Sequence, residues 1–83
     1  MSPTVLRAAG FRLYFYSRET REAPHVHVEK AGCVAKYWLA PVRLAEAFGF
    51  STRELTRIER IVTRHRSDLL ESWHAYCKTH NAR

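Results

Sequence analysis

The stretch Ala23-Pro24-His25-Val26-His27-Val28-Glu29-Lys30 restricts the fold of this chain more than any other segment. Strict alternation of polar and apolar residues is the pattern of a half-buried strand, on which side chains i, i+2 and i+4 share one face. His25, His27 and Glu29 therefore share one side and Val26 and Val28 the other. The valines can enter a core. The opposite face then presents two groups that titrate near neutral pH and a carboxylate able to orient an imidazole. Pro24 suits a strand start, where its missing N–H does least harm.

The rest of the first half also reads as sheet. Residues 4–8 and 11–17 are rich in aliphatic and aromatic side chains and flank Ala9-Gly10, which predicts a hairpin with a two-residue turn. That register puts Leu6, Ala8, Phe11, Leu13 and Phe15 on a core face, with Val5, Arg7, Arg12, Tyr14 and Tyr16 opposite. The polar segment 17–23 is a loop. A second hairpin, 25–30 with 33–39 about Ala31-Gly32, sets His27 opposite Lys36 and His25 opposite Trp38. A one-residue slip would substitute Ala35 and Tyr37 as neighbours. Residues 41–50 are ambiguous, since Val42, Leu44 and Glu46 alternate while Leu44-Ala45-Glu46-Ala47 has helical propensity; a short strand or irregular turn is expected.

Ser51-Thr52-Arg53-Glu54 has the form of a capping box, in which the serine hydroxyl and the glutamate carboxylate satisfy each other's orphan backbone amides. From there Leu55, Ile58, Val62, His65, Leu69, Trp73 and Tyr76 recur at steps of three and four, predicting one long helix over 51–78 whose apolar stripe lies on the sheet. His65, on that stripe, is expected to be a core histidine bonded to the sheet, and His74 and His80 to be surface residues. The expectation is an α+β fold: a small antiparallel sheet (β-rich 3–47) packed against a long C-terminal helix, forming a single domain over 1–83.

A chain of 83 residues supports one hydrophobic core, and its 46% hydrophobic content argues against disorder. Cys33 and Cys77 match no CxxC or zinc-ligand spacing, and the N-terminus does not read as a signal peptide. Free thiols in a reducing cytoplasm are expected. No apolar run reaches the ~20 residues that span a bilayer.

The net charge is +6, and 11 of the 14 basic residues are arginine, the side chain best suited to bidentate phosphate contacts. Arg53, Arg57, Arg60 and Arg64 fall within ~60° of one another on a helical wheel, opposite the apolar stripe. Two readings are open: a line tracking a phosphate backbone, or a solvated face paired with Glu54 and Glu59.

The histidine strand also admits more than one reading. His25 and His27 with Glu29 supply the ingredients of a two-histidine, one-carboxylate metal set, but three residues on a flat strand diverge and a closed shell needs a ligand from elsewhere, so no metal or other cofactor is favoured. Without metal, paired imidazoles serve as general base and acid when an RNA 2′-hydroxyl attacks its own phosphate, with a cation stabilising the developing charge. His25, His27, Glu29 and Lys36 are the catalytic candidates; Arg21, Trp38, Arg53, Arg57, Arg60 and Arg64 are the candidates for contacting nucleic acid or a partner. The alternative is that the histidines shape a non-enzymatic binding face.

Together, Phe11-Arg12-Leu13-Tyr14-Phe15-Tyr16, Arg21-Glu22-Ala23-Pro24-His25-Val26-His27-Val28, Ala35-Lys36-Tyr37-Trp38-Leu39, Gly49-Phe50-Ser51 and Leu69-Leu70-Glu71-Ser72-Trp73 resemble a family of small bacterial domains of unknown function. Its most specific signature is E-x-P-H-V-H-V, matched by Glu22, Pro24, His25, Val26, His27 and Val28. Members of that family resemble one half of toxin–antitoxin operons. The resemblance implies one member of a two-gene toxin–antitoxin pair; joined to the charge, the histidine strand and the cysteines, it gives the expectation of a cytoplasmic, toxin-like protein acting on or binding RNA, an endoribonuclease among the readings, with a small acidic antitoxin-like partner encoded next to it and no membrane association. It carries over no catalytic residues. The other class is a basic binding module for an acidic protein or nucleic acid.

Overall fold

A computed structural model describes residues 4–81; position 3, at the expected start of the β-rich half, lies outside the described residues. Five strands form one antiparallel sheet in chain order: β1 (Thr4–Ala8), β2 (Phe11–Tyr14), β3 (His25–Lys30), β4 (Cys33–Leu39) and β5 (Val42–Phe48). Two helices follow, α1 (Thr52–Arg64) and α2 (Arg66–Asn81). The fold is α+β, as expected. No helix among the described residues is long and apolar enough to cross a membrane.

Both hairpin turns have the geometry their sequence suggests. Ala9 and Gly10 have φ of 52° and 84°, and Ala31 and Gly32 have 51° and 82°. Two successive positive φ values make a type I′ turn, whose twist matches that of the flanking strands. The second turn fixes the register of β3 on β4, pairing His25 with Trp38 and His27 with Lys36. β5 resolves the ambiguity of 41–50 as a full strand, entered through a cis Ala40–Pro41 bond. Pairing with β4 overrides the helical propensity of Leu44–Ala47, as tertiary context commonly does. The extra residue is absorbed where the register steps from Lys36↔Glu46 to Tyr37↔Leu44.

The core lies between the sheet's inner face and the helices. Phe11, Leu13 and Phe15, Val26 and Val28, and Ala35, Tyr37 and Leu39 meet Ile58, Val62, Leu69 and Trp73 there. Leu6 and Ala8, expected on the same face, are only partly covered on the edge strand β1. The Tyr37 hydroxyl donates a hydrogen bond to the Leu55 carbonyl at 3.0 Å, so this large ring is buried without an orphaned polar group.

The single helix expected over 51–78 is in fact two. Ser51 and Glu54 form the capping box, and α1 runs from it until His65 leaves helical geometry at φ −101°, ψ 15°. The interruption is a single residue, since the Leu69 N–H donates to the His65 carbonyl at 2.8 Å, and α2 places Leu69 and Trp73 in the core, where Trp73 meets Phe15 edge-on at 5.2 Å. Arg66, the first residue of α2, donates from Nε to the Leu39 carbonyl at 2.7 Å and ties the corner to the end of β4. His65 itself is half-buried at this corner and makes no ring hydrogen bond among the described residues, which corrects its expected bond to the sheet. His74 and His80 are exposed, as expected.

Candidate functional site

Val26 and Val28 are fully buried on the inner face, so the period of two sends His25, His27 and Glu29 to the outer one. Pairing brings Trp38, Lys36 and Val34 of β4 alongside them, and Tyr14 and Arg12 of β2 on the other side. That much follows from the strands. What happens over this face is decided by residues 15–24, which carry a single 3-10 turn (Ser17–Glu19) back across the start of β3.

The turn delivers Glu19 to both histidines. Its Oε1 lies 2.7 Å from His25 Nε2 and 2.6 Å from His27 Nε2. The other nitrogen of His25, Nδ1, donates to the Ala23 carbonyl at 2.8 Å. His25 has no solvent exposure, and its ring is enclosed by Trp73 at 4.8 Å and Trp38 at 5.6 Å. His27 is 13% exposed, stacked on Tyr14 at 5.5 Å and met edge-on by Tyr16 at 4.6 Å. The Tyr14 and Tyr16 hydroxyls lie 3.5 Å apart beside it. The expectation of two accessible imidazoles is thus corrected: one ring is sealed, and the other is open only at its rim. The reason is the returning loop together with Trp73 of α2.

Electrostatics follow from this enclosure. Burial raises the Glu19 carboxyl, but its hydrogen bonds with His27 and His25 outweigh that and hold it below the ordinary carboxylate range. Burial pushes the His27 imidazole below its ordinary value, against the opposing hydrogen bond to Glu19. Burial and the Tyr16 hydroxyl push the Tyr14 phenol well above its usual range. Glu19 is therefore ionised and His27 neutral near neutral pH.

The remaining sequence candidates lie elsewhere. Glu29 forms an ion pair with Arg12 at 2.7 Å and is not part of the histidine cluster. Lys36 donates to Glu22 at 2.8 Å and sits 4.7 Å over the Trp38 ring. Arg21 is exposed and has no ion pair among the described residues. Arg53, Arg57, Arg60 and Arg64 are exposed on α1, with no ion pair among the described residues, and the first three line a shallow concavity with Thr56. Because α1 covers the inner face of the sheet and the histidines occupy the outer one, the arginine line and the histidine cluster are two separate surfaces.

Glu19 is the residue that sequence reasoning missed. It precedes His25 by six positions in a loop without periodicity, while strand alternation points to Glu29 as the carboxylate beside the histidines. Among the described residues, Glu19, His25 and His27 are the group whose ligating-type atoms converge, all within 4.8 Å of one another.

Comparison with known proteins identifies the family of the chain. The profile of a domain of unknown function, DUF4160, matches residues 10–74, and the chain belongs to that family. The matched span includes the loop with Glu19, the histidine strand and Trp73. No curated protein and no solved structure matches the chain significantly.

Proposed function

We propose that this DUF4160 protein is an RNA-binding, toxin-like component of a bacterial two-gene pair, and that it grips the phosphate backbone along α1. The observation carrying this reading is the line Arg53, Arg57, Arg60 and Arg64: exposed guanidinium groups on successive turns, with no ion pair within 4.0 Å among the described residues, on a chain of net charge +6. Unneutralised arginines on one helix face repel one another, and a polyanion relieves that repulsion while releasing its counterions. The toxin-like role rests on the family resemblance of the motifs.

Binding is favoured over cleavage by the histidine pair. General acid–base chemistry needs ring nitrogens within reach of substrate. Both nitrogens of His25 are occupied in a sealed position. A histidine ribonuclease would have to work through His27 alone.

The test is RNA affinity against salt. Each arginine replaced by alanine should flatten the slope of log K against log salt by roughly 0.7 for a single strand. Slopes unchanged in the Arg53→Ala, Arg57→Ala, Arg60→Ala and Arg64→Ala series would overturn the reading. A second reading, docking of a small acidic antitoxin-like protein, draws on the apolar pair at the β5 edge, where Val34 and Phe48 face each other at 42% and 74% exposure. In that case the arginine variants slow association with the co-expressed neighbour.

A further inference from the structure

The geometry points to a metal site that neither the family profile nor the RNA reading assigns: Glu19, His25 and His27 bind one divalent first-row transition ion of the zinc type.

The argument begins with valence. A carbonyl oxygen only accepts hydrogen bonds, so the contact of His25 Nδ1 with Ala23 O fixes the proton on Nδ1 and leaves the Nε2 electron pair pointing inward. That pair faces Glu19 Oε1 at 2.7 Å, and His27 Nε2 meets the same oxygen at 2.6 Å. His25 Nε2 and Glu19 Oε1 are thus two electron-pair donors facing each other in a largely dry pocket, and they repel one another unless a cation or a proton lies between them; His27 Nε2 becomes the third donor when its proton sits on Nδ1. Locking the far nitrogen of an imidazole onto a backbone carbonyl is also how proteins orient a histidine ligand toward a metal.

The donor set selects the ion. Two imidazoles and one carboxylate suit zinc and its transition-metal neighbours and are poor for calcium or magnesium, which take oxygen. Zinc bonds of about 2.0–2.1 Å set tetrahedral donor separations of ~3.3 Å, so Glu19 has to withdraw by ~0.6 Å from each ring while the two imidazole nitrogens, which lie within 4.8 Å of each other, close toward the same spacing. It can do so, because it is 26% exposed and sits on a single 3-10 turn. His27 accepts the role by carrying its proton on Nδ1. The carboxylate is supplied from outside the strand, which removes the divergence that counts against His25, His27 and Glu29. A fourth position remains for solvent on the side of the surface concavity lined by Tyr16, Arg18 and Glu19. The bound ion would staple the 15–24 loop to β3. The rival occupant of the same gap is a bridging proton.

The experiment uses the full chain, stripped with a chelator and titrated with Zn²⁺ against a chromophoric competitor at pH 7.5. One equivalent binding with sub-micromolar affinity is expected. Glu19→Gln and His27→Ala should each weaken it by ~100-fold, since each removes one of three ligands, while Cys33→Ser, Cys77→Ser, His74→Ala and His80→Ala leave it unchanged. Absence of binding, or equal affinity in Glu19→Gln, overturns the site and leaves the proton as occupant. Should either ligand variant fail to fold, X-ray absorption of the zinc-loaded wild-type chain decides: a shell of two imidazoles with oxygen supports the proposal, and a sulfur or all-oxygen shell overturns it. RNA affinity should be unaffected by Glu19→Gln, so failure of the metal site and failure of the α1 reading are separable.

Discussion

The two faces of β3 are built from adjacent residues but are held by different means. Val26 and Val28 enter a continuous core of aliphatic and aromatic side chains. His25 and His27, one residue away, are held by a single carboxylate oxygen and one carbonyl, both contributed by the preceding loop. Hydrophobic burial is non-directional and tolerates small shifts, whereas a buried polar cluster loses most of its value when one member is misplaced. The inner face should therefore respond to lost volume and be indifferent to pH, and the outer face should do the reverse.

The largest effects are expected on the inner face. Trp73→Ala removes a ring that packs against both Phe15 and His25, and Ile58→Ala opens the α1–sheet contact; each should cost ~2–5 kcal/mol in urea unfolding. For a domain of this size that is a large part of total stability. Trp73 also bridges the faces, and its removal should loosen the histidine cluster, seen as faster hydrogen exchange in β3. A Trp73→Ala variant that unfolds at the wild-type urea midpoint would break the comparison at its root.

Next come the two histidines. His25→Ala should cost ~1–3 kcal/mol, because it removes a fully buried ring together with its bonds to the Ala23 carbonyl and to Glu19. His27→Ala should cost less, since its rim is open to solvent. Equal losses in thermal or urea melts would mean that the sealed and the open ring are not distinct environments.

How far each face is legible in the sequence follows the same division. Periods of two and of three to four residues reveal the strands, the core stripe and the side of β3 on which the histidines stand; the Ala-Gly pairs give the hairpins, and Ser51 with Glu54 gives the helix start. None of these local signals reports Glu19, because a loop residue is placed by where the chain returns. Nor do they report the break at His65. No glycine or proline marks it, and the apolar stripe continues through it from Val62 to Leu69. The interruption is one residue at φ −101°, ψ 15°, a backbone conformation that no particular residue type announces. The face of β3 could be read from its own residues, whereas the partners over that face could not.

A pH series separates the faces further. Both shifted groups of the cluster have folded-state pKa values below their ordinary ones of 6.5 for His27 and 4.5 for Glu19. In each case the unfolded chain takes up a proton before the native one, so stability is fully present above the unfolded value and declines as pH falls. Metal-free protein should lose thermal stability in two stages, first below about pH 6.5 and again below about pH 4.5. His27→Ala should remove the first stage, and Glu19→Gln the second. A melting temperature flat between pH 7 and pH 4 would show that the cluster does not contribute to folding.

The smallest expected effect lies at the turn that both faces share. Ala31 is held at φ 51°, a left-handed conformation that costs a residue with a Cβ roughly 1–2 kcal/mol, and Asn adopts it more readily because its short amide bonds locally. Asn-Gly is also the preferred pair for a type I′ turn. Ala31→Asn should then raise stability by ~0.5–1 kcal/mol without moving the register that sets His27 against Lys36. Since the register carries the valines and the histidines together, the gain should be the same at pH 7 and pH 5, leaving the shape of the pH profile unchanged. A gain confined to neutral pH would mean instead that the turn acts through the histidine cluster, and that the two faces of β3 are coupled through the hairpin end.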